Sequence, residues 1–182
     1  MIKSQLTLVH GGRSAWYRVN GFSCRLVNTA TFRTLNLDAV VFEEDTHLIL
    51  TLDRVMTHGE VHPIRLMTEL HTARPHTPGS LIINDSSWYG VVIDLDREQI
   101  CREDWIDSTY EQIGRRISLK RIRTIGVHLL GTIHGKMDVD FCLDRFVSAV
   151  GRWRSESLED VWLIVSETSE LTPHRLLQSY RN

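Results

Sequence analysis

An α/β fold, one mixed β-sheet between helices, is what this 182-residue sequence predicts. Three observations carry that expectation. From residue 80 onward, short apolar runs alternate with helical stripes, and alternation of this kind builds sheets covered by helices. Two of the runs, 125–130 and 158–165, are apolar apart from His128 and the Glu159-Asp160 entry and show no regular polar alternation, as parallel strands buried on both faces require. The first half is richer in strands, and its Asn20-Gly21 pair between two apolar runs is a strong two-residue hairpin signal.

The elements follow in order. Residues 6–9 read as a short strand closed by Gly11-Gly12. Runs 15–19 and 22–28 flank the Asn20-Gly21 turn. Runs 38–42 and 47–52 read as two strands split by Glu43, Glu44 and Asp45. Residues 60–72 carry Ile64, Met67, Leu70 and His71 near one stripe and read as a helix, with Pro63 tolerated in its first turn. Pro75 and Pro78-Gly79 end it. Strands 80–83 and 90–95 surround a polar tip, Asn84 to Ser87. Ile106, Tyr110, Ile113 and Ile117 mark a helix over 104–119. Val139, Cys142, Leu143, Phe146, Val147 and Val150 mark the strongest helix, opening at Asp138. A last helix, 172–180, starts at Thr172 with Pro173 at its first position. No repeat or linker interrupts the chain, so a single domain over 1–182 is expected, with 1–34 its least patterned part.

Composition narrows the function classes. Hydrophobic residues make up 42% and charged residues 24%, ordinary for a globular protein. A net charge of −2 and a pI near 6.5 give no global attraction to nucleic acid or anionic membrane. The one basic run, Arg115, Arg116, Lys120, Arg121 and Arg123, reads as a solvated face complementing a helix C-terminus. Cys24, Cys101 and Cys142 cannot all pair and have no metal-ligand spacing, so free thiols in a reducing compartment are expected. The start of the chain lacks the apolar core of a signal peptide, and no apolar run reaches membrane-spanning length. These features point to the cytoplasm.

The most informative segment runs from Arg123 to Gly135. Its apolar strand stops at Gly131, Gly135 follows four residues later, and a helical pattern opens at Asp138. A strand, a glycine loop and a helix in this order can bring bare backbone N–H groups to a phosphate. Gly131, Thr132, Ile133, His134 and Gly135 are therefore the candidate ligand-binding residues, and the ligand class they suit is nucleotide-like. The purely structural alternative is a tight turn that needs both glycines for positive φ. The segment running on to Lys136 and Met137 superficially resembles a P-loop. It is one residue short and has Met137 where a Ser or Thr should hold magnesium, which excludes an NTPase.

Asp38-Ala-Val-Val-Phe42, Pro78-Gly79-Ser-Leu-Ile-Ile83 and Thr124-Ile-Gly-Val-His-Leu-Leu-Gly-Thr-Ile-His-Gly135, in this order and at these intervals, resemble the macro domain family. The resemblance covers roughly residues 35–180 and rests mainly on the last third. The macro-like N-terminal domain of leucine aminopeptidases is a related fold that fits almost as well. The resemblance implies a three-layer α/β/α sandwich with an ADP-ribose-type cleft, and 131–135 match the family's second phosphate loop. Other positions depart from the pattern. Where macro domains have an Asn-rich turn that serves their hydrolases, this chain has Phe42, Glu43, Glu44 and Asp45. The first glycine-rich phosphate loop should follow, yet 46–60 offer only Gly59. No clear counterpart of the acidic residue that holds the adenine amine stands around 8–12. An acidic turn facing the cleft would repel a diphosphate, since two like charges ~4 Å apart cost on the order of 1 kcal/mol even in water.

Other candidate groups have blander readings. His134 has the side chain for acid–base work near neutral pH, but no partner for it is evident. His128 lies in a buried strand and reads as a core histidine. His58, His62, His71 and His76 invite a metal reading, but Gly59 and Pro63 break the helix that would align the first two, and no metal site is expected. Asp94 and Asp96 read as a strand exit before a helix capped by Glu103 or Asp104, in preference to a magnesium site. Ser86, Ser87, Trp88 and Tyr89 read as a hairpin tip whose Trp88 folds back onto the core. No nucleophile motif is present, the catalytic residues are unassigned, and no cofactor is expected.

Three functions fit these residues. The first is a macro-like module that binds a nucleotide or phosphorylated metabolite through 131–135, without the family's hydrolase chemistry. The second is a non-catalytic scaffold for self-association or protein contact. The third is an enzyme that uses Glu43, Glu44 or Asp45 with His134.

Overall fold

The computed structural model describes residues 7–9, 16–50 and 74–166. Within them lie strands β1 (Thr7–Val9), β2 (Trp16–Val19), β3 (Phe22–Asn28) and β4 (Ala39–Asp45). Strands β5 (Leu81–Asn84), β6 (Ser87–Ile93), β7 (Thr124–His128) and β8 (Asp160–Val165) follow. Helix α1 (Glu103–Lys120) precedes β7 and α2 (Val139–Arg152) precedes β8. The strands form one sheet in the order β1-β2-β3-β8-β7-β4-β6-β5. The five strands from β3 to β6 are parallel to their neighbours in this row, and the outer strands are antiparallel.

The apolar 125–130 run thus becomes a central strand parallel to β8, as its lack of a polar face requires. Ile125 and Val127 of β7, Ala39 and Val41 of β4, and Val161 and Leu163 of β8 face one way. Ile106, Tyr110, Ile113 and Ile117 of α1 and Cys142, Leu143, Phe146 and Val150 of α2 cover that face. Both helices therefore lie on the same side of the sheet. On the opposite face Val27, Phe32 and Ile164 are buried, with Phe42 and Trp162 packed beside them. The helices expected over 60–72 and 172–180 lie outside the described residues.

Turn chemistry fixes the ends. Asn20 and Gly21 both have positive φ, 49° and 100°, as a type I′ hairpin demands. The Asn20 amide also donates to the Gly151 and Trp153 carbonyls, docking the hairpin onto the end of α2. Asp38 accepts from the Arg123 and Thr124 backbone at 2.8 and 2.9 Å, pinning the entry of β4 to that of β7. Helix α2 is capped by Asp138, whose carboxylate accepts from the Phe141 N–H. Helix α1 differs from expectation. Its N-cap is Arg102, without a side-chain cap bond, and Glu103 and Asp104 sit in the first turn, where negative charge complements the helix dipole.

Two expected boundaries are wrong. The strand expected over 90–95 is β6, Ser87–Ile93, and Ser87, Trp88 and Tyr89 belong to it and not to a hairpin tip, because they pair with Val40, Val41 and Phe42 of β4. Glu43, Glu44 and Asp45 do not split two strands. They are the last three residues of β4, paired to β6 through Asp45 with a bulge at Glu44/Asp45. Residues 47–50 form a turn and not a strand. The charged side chains hid a strand because their carboxylates turn inward and accept from backbone N–H groups.

Close helix packing gives a test. A Cβ on Gly114 of α1 would stand 2.4 Å from Trp153 Cδ1, whereas one on Gly151 of α2 meets nothing within 4 Å. Gly114→Ala should lower the unfolding free energy by about 1–3 kcal/mol through overpacking. Gly151→Ala should raise it by up to about 1 kcal/mol through helix propensity. Urea titrations of both variants check the pair of opposite signs.

Candidate functional site at the carboxyl ends of two central strands

In open parallel sheets the ligand crevice lies where connections leave neighbouring strands in opposite directions. Strands β4 and β7 meet that condition. The chain leaves β4 toward β6 on one side and leaves β7 toward β8 on the other. Their carboxyl ends carry the acidic residues 43–45 and the glycine loop 131–135.

The structure brings these two segments together. Alternation along β4 turns Glu43 to the same face as Ala39 and Val41, under α1 and α2. It is 4% exposed. Its Oε2 accepts from the Gly131 N–H at 2.6 Å. Its Oε1 accepts from the His134 N–H at 2.6 Å and the Gly135 N–H at 3.1 Å. Three backbone N–H groups of one loop thus converge on a single anion, the geometry of an anion-binding nest. The resident anion is the protein's own carboxylate.

The loop is shaped for this. Gly131 has φ +89°, and a Cβ there would stand 2.7 Å from Ile106 Cδ1. Its carbonyl accepts from the Met137 N–H at 2.9 Å, closing the turn. Gly135 does not need positive φ, contrary to the two-glycine turn reading. It is small because a Cβ would stand 2.7 Å from the Gly131 carbonyl oxygen and 2.9 Å from Cys101 Sγ. Thr132 bonds the Leu129 carbonyl through its hydroxyl at 2.7 Å. The side chains of Ile133 and His134 are exposed. Of the five candidate residues, three contribute backbone N–H groups, Thr132 holds the turn, and Ile133 forms part of its exposed surface.

Glu44 and Asp45 do something else. Glu44 Oε1 accepts from the Asp45 and Leu50 N–H groups. Asp45 accepts from His47 at 2.6 Å, Ile49 at 2.8 Å and Leu50 at 3.1 Å. Both are fully buried and organise the turn over 45–50. Of the hydrogen bonds these three acids accept, those from the glycine loop go to Glu43.

The surroundings are protonated and largely apolar. The Tyr110 hydroxyl accepts from the Leu130 N–H at 3.3 Å, and burial pushes its pKa well above 10. Burial, then the Glu43 charge, pushes the Cys101 thiol up to about 12. Burial, then Cys101 and Glu43, do the same for Cys142. Cys24, deep in the core, is also raised to about 12 by burial.

The remaining candidates take structural places. His128 is buried against the rings of Phe32 and Phe42 at 5.5 and 5.2 Å. Trp88 is fully buried, with its indole N–H on the Asp85 carbonyl. Asp94 holds its own loop through the Asp96 N–H and the Arg97 guanidinium. Among the described residues no cluster of His, Cys, Asp or Glu is arranged to hold a metal, and His58, His62 and His71 lie outside them. Two open grooves of about 790 Å³ lie elsewhere, one along α1 and α2 and one at the amino ends of the strands, lined by Asn20, Arg121 and Ser157 among others.

No protein-family profile matches the chain, and no curated protein sequence does either. Solved structures do. An Oceanobacillus iheyensis macrodomain with ADP superposes with a TM-score of 0.66 at 11% identity, over 98% of this chain and 97% of that one. The macro domain of ganglioside induced differentiation associated protein 2 gives 0.66 at 16% identity, over 88% and 85%. The fold is that of a macro domain. A Trypanosoma brucei macrodomain in complex with ADP-ribose is also similar, with a TM-score of 0.56 at 15% identity, over 86% of this chain and 67% of that one. The macro fold is an α/β/α sandwich with a mixed sheet, and the sheet order and the α1–α2 layer found here fit it. No described helix is long and apolar enough to cross a membrane.

The raised thiols give a prediction with a sign. At pH 8 the native protein should show no prompt reaction of its three cysteines with an aromatic disulfide reagent, and full reaction once unfolded. Folding holds these thiols protonated, so their contribution is intact below the unfolded-state value of 9.0. Stability should therefore fall as pH rises above about 9, checked by urea titrations from pH 8 to pH 10.5.

Proposed function

We propose that the chain is a macro-fold binding module for a nucleotide or phosphorylated metabolite of the ADP-ribose class. The ligand enters at the carboxyl ends of β4 and β7 and meets residues 131–135. The observation that carries this reading is the convergence of the Gly131, His134 and Gly135 N–H groups on one anion. A loop that stabilises a carboxylate this way offers a phosphate the same donors. Three of the four exposed large hydrophobic side chains among the described residues, Ile49, Leu95 and Ile133, lie on the loops that follow β4, β6 and β7. They give an apolar rim to receive the base of a nucleotide. Macrodomains of similar fold have been solved with ADP and with ADP-ribose.

The module does not hydrolyse ADP-ribosyl bonds. Among the described residues no side-chain amide stands at the end of β4 to orient a water, and Glu43, Glu44 and Asp45 are engaged by backbone N–H groups. A scaffold without ligand is the second reading, favoured by one observation: the loop's donors already have an anion.

Amide NMR separates the two. Millimolar ADP-ribose should shift the Gly131, His134 and Gly135 resonances of the native protein and leave Asn20 and Ser157, at the opposite pole, in place. An apparent Kd near 1 mM, about 4 kcal/mol of binding, is expected, with no release of ADP-ribose from a modified protein. Unmoved loop amides together with concentration-dependent sedimentation would support the scaffold instead.

A further inference from the structure

We propose that Glu43 is the specificity-determining residue of this crevice, an intramolecular anion that an incoming phosphate must displace before it can occupy residues 131–135. The proposal rests on the ligand class assigned above. Its basis is exclusion. The Gly131, His134 and Gly135 N–H groups lie 2.6–3.1 Å from the Glu43 oxygens, so a phosphate on the same donors would sit at van der Waals distance from a second negative charge. Both anions cannot be held there together. Glu43 is also tethered on β4, which gives it a high effective concentration at the loop. A ligand's apparent affinity is then its intrinsic affinity multiplied by the fraction of molecules in which the carboxylate has swung out.

The tether selects among ligands. A hydroxyl or an amide cannot replace a buried carboxylate on three N–H groups, and a single free carboxylate only matches it. A phosphate adds charge and a third oxygen and is the group able to win. Glu44 and Asp45 take no part, because their oxygens hold the 45–50 turn. Neutralising all three acids would undo that turn along with the gate, so the test belongs to Glu43 alone.

The experiment compares native protein, Glu43→Ala and Glu43→Gln by thermal shift and calorimetry. The probes are sodium phosphate, sodium acetate and ADP-ribose at ionic strength matched with chloride. Glu43→Ala leaves the donors open. Phosphate and acetate should both raise its melting temperature saturably, whereas acetate should leave the native protein unmoved and phosphate should shift it only at far higher concentration than it shifts the variant. ADP-ribose should bind the variant at least about tenfold more tightly than it binds the native chain. Glu43→Gln keeps the shape but turns an amide NH2 toward a loop N–H, and should give a smaller gain; it carries the test if the alanine variant does not fold. Folded variants that bind ADP-ribose no better than native, with phosphate and acetate without effect, would overturn the proposal. Stabilisation by phosphate without any gain for ADP-ribose would uphold the gate and refute the ligand class.

Discussion

The carboxylate of Glu43 has exchanged water for three backbone N–H groups, and the carboxyl end of the sheet is organised around that exchange. An ionised carboxylate buried without partners costs several kcal/mol. Hydrogen bonds to a charged group return roughly 1.5–3 kcal/mol each. Three of them, from one loop, are of the size needed to offset the burial. The bond set also does positional work. It ties the end of β4 to the loop after β7, across a parallel pair whose direct ladder covers only Ala39 to Val41. The positive φ of Gly131 and the Met137 N–H on the Gly131 carbonyl then fix the path into α2.

That arrangement gives the crevice its character. The β4–β7 switch point, the glycine loop and the apolar rim are what the proposed phosphate-ligand site is built from. The acid at its centre makes the site self-satisfied. Under the proposed reading, the module would be silent toward weak anions and would respond only to a ligand able to outcompete a tethered carboxylate. If no such ligand exists, the same contacts make a rigid scaffold. Both outcomes follow from one interaction, and the strength of that interaction decides between them.

Much of this was legible in the sequence, and the reasons are local. The mainly apolar runs at 125–130 and 158–165, short and without a regular polar alternate, fit buried parallel strands. Asn20-Gly21 prescribes its hairpin, and the 3.6-residue stripes mark α1 and α2 to within a residue or two. The glycine loop was visible as punctuation between strand and helix. What could not be read was the partner of Glu43. Three consecutive acids have the composition of a solvated loop, and their destination depends on donors some 90 residues away. The alternation along β4 held the signal: Ala39, Val41 and Glu43 share one face, so a β4 that runs three residues past Phe42 places Glu43 indoors. The spacing of Gly131 and Gly135 also misled in part, since Gly135 is small to let the Gly131 carbonyl and Cys101 approach it and not to permit positive φ.

In the native protein a buried carboxylate fills the loop. A crystal structure of the native chain, grown without phosphate, sulfate, carboxylate buffers or nucleotide, tests it most directly. Both Glu43 oxygens should be found in hydrogen-bond contact with the Gly131, His134 and Gly135 nitrogens, with no other anion on the loop. A Glu43 side chain turned to solvent, with water on those three nitrogens, would contradict it.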